Sequence, residues 1–130
     1  MEQRAQIEAE IAGMTLCDLL TTTAAEHAEL PAYSDREPDA PWQTLTWRQF
    51  RDAVLMLAAG LVRLGLQPGD RVALMLPNRM EHMLADQAIV HAGGVPVTFY
   101  ATLAPDQIRY VAADCDVRMA VLDGSSRRKL

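Results

Sequence analysis

The segment Arg71-Val72-Ala73-Leu74-Met75-Leu76 constrains the fold more than any other, because it is a continuous apolar run set between Leu66-Gln67-Pro68-Gly69-Asp70 and Pro77-Asn78. A strand with one wet face alternates apolar and polar residues. A run without alternation, closed at both ends by turn formers, predicts a strand buried on both faces of a parallel sheet. Met80, Met83, Leu84, Ala88 and Ile89 then predict a helix from about Asn78 to Ala92, closed by Gly93-Gly94, with a strand over Val95 to Phe99 behind it. Pro105, at a natural first helical position, opens a shorter helix with Ile108, Val111 and Ala112 inward, and Arg118 to Leu122 gives a third strand, apolar on both faces, before Asp123-Gly124. Strand, helix, strand, helix, strand with crossover-length connections implies an α/β fold: a parallel-sheet βαβαβ subdomain with flanking helices. Three parallel strands seldom make a whole doubly wound domain, so the chain reads as the front part of a larger sheet.

Upstream of that unit, residues 1–14 read as a polar lead-in. Thr15 opens a helix with Asp18 three residues on, in the manner of a capping box, and Leu16, Leu19, Leu20, Thr23 and Ala24 recur at helical spacing until the helix ends near Pro31. Pro31 to Asp35 and Trp42 to Thr46 are two short strands joined by the surface loop Arg36 to Pro41. Thr46-Trp47-Arg48-Gln49 is a capping box, and Trp47, Phe50, Val54, Leu57, Ala58 and Leu61 follow it in one stripe. Leu55, Met56 and Val62 fall outside the stripe, which predicts a helix covered on more than one side. Gly65 stands where a left-handed C′ residue is wanted. There is no internal repeat and no low-complexity segment.

Composition narrows the function. In 130 residues there are 12 Lys plus Arg against 17 Asp plus Glu, a formal net charge of −5, with 50% hydrophobic residues. So much apolar material excludes disorder, and the only basic cluster, Arg127, Arg128 and Lys129, is too small for a phosphate-backbone footprint, so no nucleic-acid partner is expected. The longest apolar run, Ala53 to Val62, falls short of the about 20 residues that a transmembrane segment needs. The first ten residues have neither the basic nor the apolar region of a secretory signal, so a cytoplasmic protein is the expectation. Cys17 and Cys115 lie far apart with no CxxC, and read as two reduced, mostly buried thiols.

No constellation assembles chemistry. Gly60 and Gly65 have Walker spacing, but Leu66 and Gln67 stand where Lys and Ser or Thr are required, and the segment ends a helix instead of starting one. The turn after the first parallel strand is Pro77-Asn78-Arg79-Met80, not GxGxxG, and Asn78 reads as the N-cap of the next helix. His82 and His91 sit nine residues apart on that helix, on opposite faces at about 100° per residue, and cannot share a metal. His27 belongs to a helix C-terminus, Asp114 and Asp116 flank Cys115 without a third ligand, and Ser34, Ser125 and Ser126 lack the strained elbow of a nucleophile. The methionines, Met56, Met80 and Met83 among them, read as core fillers. The sequence therefore predicts no catalytic, cofactor-binding or metal-ligating residue.

Several segments in order resemble the N-terminal part of the adenylate-forming (AMP-binding) acyl-CoA synthetases. Leu45-Thr46-Trp47-Arg48-Gln49-Phe50 resembles that family's first core motif, with Trp47 in the usual Tyr place, and Gly69 to Asn78 resembles its Gly-Asp-Arg-Val strand and following Pro-Asn. Ala92-Gly93-Gly94-Val95-Pro96-Val97 resembles the second core motif with its proline early, and Tyr100 to Val111 is most similar to the branch that activates long-chain fatty acids. The resemblance runs from about Thr15 to Asp123 and implies residues 15–130 to be the front part of the large N-terminal domain of a fatty acid-CoA ligase. It implies ATP, Mg²⁺ and coenzyme A for the full enzyme, together with a fatty acid substrate. It places the Ser/Thr/Gly-rich phosphate loop, the metal- and ribose-binding acids, the acyl pocket and the catalytic Lys later than these motifs. The chain alone is then expected to be inactive, its partner being the missing remainder of the enzyme. The alternatives are a stand-alone, non-catalytic α/β binding or assembly module and another adenylate-forming branch. A homo-oligomer through exposed edges is a further expectation, motivated by the last strand and by Leu55 and Met56.

Overall fold

The computed structural model describes residues 2–124. In order, the elements are α1 (Glu2–Glu10), α2 (Leu16–Glu26), β1 (Pro31–Asp35), β2 (Gln43–Thr46), α3 (Trp47–Arg63), β3 (Arg71–Met75), α4 (Met80–His91), β4 (Val95–Thr98), α5 (Pro105–Asp114) and β5 (Val117–Leu122). β4, β3 and β5 form a parallel sheet in that spatial order, with β3 at its centre, while β1 and β2 pair as a separate antiparallel hairpin.

The central place of β3 is what its unbroken apolar run requires. Strand side chains alternate between faces, and here both faces are covered. Val72 and Leu74 pack with Leu66, Ala85 and Ile89 under α4, whereas Ala73 and Met75 pack with Phe99 and Ile108 under α5. The two crossover helices thus lie on opposite faces, as a doubly wound sheet demands once the chain runs from β3 to β4 and back across to β5. A third cluster, Leu20, Phe50 and Val54, joins α2 and α3 to the hairpin through Tyr33 and Leu45, with Trp47 of α3 packed against it.

Helix ends obey local rules where the capping side chain is close in sequence. Thr15 accepts from the Asp18 amide and Asp18 Oδ2 accepts from the Thr15 amide at 2.9 Å, and Thr46 and Gln49 repeat the exchange at the start of α3. Gly65 follows α3 with φ +101°, the left-handed conformation that terminates a helix. Gly94 is needed for closeness: a Cβ there would stand 2.9 Å from Ile89 Cγ2.

Six expectations are corrected. The polar lead-in contains α1, supported by the Arg4–Glu8 and Gln6–Glu10 pairs four residues apart. α2 ends at Glu26, earlier than Pro31, with the His27 amide donating to Thr23 O. α4 begins at Met80 and Asn78 does not cap it, because a carboxylate from β1 takes that place. β5 is not buried on both faces, since Arg118 and Ala120 are exposed and the strand stands at the sheet edge among the described residues. Met56 is exposed on α3 instead of filling the core, and the free thiols of Cys17 and Cys115 are half-buried. Ser125, Ser126, Arg127, Arg128 and Lys129 lie outside the described residues.

Candidate functional site

In an open parallel sheet, ligands bind beyond the carboxyl ends of the strands where successive connections leave in opposite directions. Here that point lies between β3 and β5, and an open cleft of about 580 Å³ occupies it. Leu76 and Pro77 come to it from the end of β3, Val121 and Leu122 from the end of β5, Leu57 from α3, and Leu84 and Ala85 from α4. Its walls are therefore apolar. Arg79, Glu81 and Asp123 form its polar margin.

Arg79 is the centre of the one dense ionic cluster among the described residues. Its Nε donates to Asp35 Oδ2 at 3.3 Å, its Nη2 to Glu81 Oε1 at 3.3 Å, and its Nη1 to Glu37. Asp35 Oδ2 also accepts from the Met80 amide at 3.0 Å, so a carboxylate from β1 caps α4 across 45 residues of sequence. That amide, the Arg36 amide and the Arg79 guanidinium hold the Asp35 carboxyl below the usual carboxylate range. Glu37 first, then Asp35 and Glu81, push the Arg79 guanidinium up.

The cluster decides what the cleft can bind. A helix N-terminus at a switch point is a ready-made phosphate site when its amides are free and a cation stands beside it. Here Asp35 occupies the amide of Met80, and three carboxylates surround Arg79, leaving a local excess of negative charge. The phosphate chain of ATP does not fit these residues. No group of three or more His, Cys, Asp or Glu could hold a metal ion among the described residues, so a Mg²⁺ site does not fit them either.

The residues weighed from sequence do not converge. His82 Nδ1 lies 3.4 Å from Leu76 O and His91 Nδ1 lies 2.7 Å from Gln87 O, each within its own helix or the turn before it, and His27 caps α2. Ser34 Oγ hydrogen-bonds Thr44 Oγ1 at 2.7 Å across the hairpin. Asp116 pairs with Arg71 at 3.2 Å, and the Cys115 carbonyl accepts from the same guanidinium. Gly60 lies inside α3, so the Walker-like spacing does end a helix. The Asp35–Arg79 contact escaped sequence reading because nothing local links a strand end to a helix start so far along the chain.

Residues 20–129 match the sequence pattern of a family described as AMP-binding enzyme. The chain is 33% identical over 109 residues to the uncharacterized protein Rv1549 of Mycobacterium tuberculosis, a match covering 84% of this chain and 61% of that one. It is 35% identical over 78 residues to the long-chain-fatty-acid–CoA ligase FadD15 of the same organism, covering 60% of this chain and 13% of the ligase. Among solved structures, the N-terminal domain of FACL13 from M. tuberculosis superposes with a TM-score of 0.79 at 25% identity, covering 87% of this chain and 28% of that domain. The chain thus spans about three fifths of the first curated relative and 13% of the ligase.

Proposed function

Since the chain belongs to the AMP-binding enzyme family, we propose that it is the opening βαβαβ portion of an ATP-dependent long-chain fatty acid-CoA ligase. The whole enzyme, in this reading, works in the cytoplasm, joins a fatty carboxylate to the α-phosphate of ATP with release of pyrophosphate, and passes the acyl group to the thiol of coenzyme A. This portion supplies scaffold. β3 anchors the sheet, the cleft at the switch point receives apolar surface, and the Asp35–Arg79 clasp fixes the hairpin to α4 beside it.

The observation that carries the reading is the occupied anion site. The helix N-terminus at the switch point has its first amide taken by Asp35, which supports a scaffold role for α4 instead of a phosphate-holding one. No helix among the described residues is long and apolar enough to cross a membrane.

A second reading, a non-catalytic α/β module that binds through β5, is favoured by one observation. Rv1549, of which the matched 109 residues are 61%, is itself a short chain. One measurement tests what the readings share and a second separates them. The purified 130-residue chain is expected to show no ATP/pyrophosphate exchange with a long-chain fatty acid, and exchange would overturn the scaffold assignment. The coding sequence after Leu130 is expected to continue in frame into a Ser/Thr/Gly-rich loop; an immediate stop favours the module.

A further inference from the structure

We propose that α1 is a strap that closes over the groove between α2 and the aromatic trio Tyr33, Trp47 and Phe50, as the first arm of an αα-hairpin hinged at Gly13. The inference stands on α1 and the groove alone, independent of the ligase reading. A nine-residue helix is marginal in water without tertiary partners, yet the side chains of residues 3–16 are all exposed. Ile7 and Ile11, the latter just past the helix end with its amide donating to Ile7 O at 3.1 Å, share one face at i, i+4 spacing and are 49% and 57% exposed.

A matching surface lies beside it. A groove of about 330 Å³ runs between α2 and the aromatic trio, and its α2 wall is built by Leu16, Leu19 and Leu20. Leu16 and Leu19 are 58% and 52% exposed. The floor is fixed: the Tyr33 and Phe50 rings stand 4.6 Å apart, and Trp47 meets each of them at 6.3 Å.

The connection sets the register. Residues 11–15 separate α1 from α2, a length that antiparallel helix pairs use, and Gly13, at φ +79°, provides the bend. Ile7 and Leu19 are each six residues from Gly13, so folding about that point brings them level, and Ile11 comes level with Thr15 and Leu16. The apolar face of α1 then meets the α2 wall. The five-residue tether gives α1 a high effective concentration over the groove, which favours the chain's own strap over a second copy's.

Hydrogen exchange on the full 130-residue protein tests this. The hydrogen-bonded amides of α1 are expected to exchange at least about tenfold more slowly than an unstructured segment. Leu19→Asp, outside α1 and exposed, should abolish most of that slowing while leaving β3 amides unchanged. Ile7→Asp, which cannot disturb the body of the fold, should shift Trp47 emission to the red in a Trp42→Phe background. Unprotected α1 amides in the unmodified protein, or α1 protection indifferent to Leu19→Asp, would overturn the strap. So would protection that appears only at concentrations where sedimentation shows a dimer, which would assign the groove to a second copy.

Discussion

Asp35 serves two partners with one oxygen, the Met80 amide and the Arg79 guanidinium, and both favour its charged form. Its carboxyl is held low in the fold, so the folded state binds this proton less readily than the unfolded chain does. The stability contributed by the charge is therefore fully present above the ordinary carboxylate value of about 4 and is lost as pH falls through it toward the lower folded value. Asp35→Asn keeps an acceptor for the Met80 amide but removes the charge. Thermal unfolding at neutral pH is expected to show the variant less stable than the parent, with the gap closing below about pH 4. A gap that persists at low pH would mean that shape, not charge, is what Asp35 provides. The contact was illegible because capping patterns are read within four residues, where Thr15–Asp18 and Thr46–Gln49 are found, and Asp35 acts from a strand 45 residues away from its amide.

At the scale of the element, the legible parts are those whose burial is set by their own sequence. β3 is apolar at every position from Val72 to Met75 and is buried at every one of them. α3 carries its start signal and its stripe together, and Phe50, Val54 and Ala58 are buried as the stripe requires. Thr46→Ala removes the side-chain acceptor for the Gln49 amide at that start. Urea unfolding should show a loss of about 1 kcal/mol with an unchanged m-value. A changed m-value would mean that the β1–β2 hairpin, which ends at Thr46, melts separately from the sheet. β5 was misjudged for the opposite reason: its residues are as apolar as those of β3, but exposure there is decided by what stands on its far side. α1 escaped because its charges mask the Ile7–Ile11 spacing.

For the molecule as a whole, fold class and family were legible from motif order, whereas the cleft was not, since it joins residues from α3, β3, α4 and β5 that no spacing connects. The same geometry leaves β5 at the sheet edge with Leu57 exposed beside Val121, an edge that a second copy can pair. Each copy has a formal net charge of −5, so association through this apolar surface works against repulsion that salt screens. Sedimentation of the 14.3 kDa chain is therefore expected to show self-association that strengthens with ionic strength. Leu57→Glu places a charge in the cleft without entering the core and should return the chain to monomer under the same conditions. If the unmodified chain remains monomeric at high concentration and high salt, the edge is not a contact between copies.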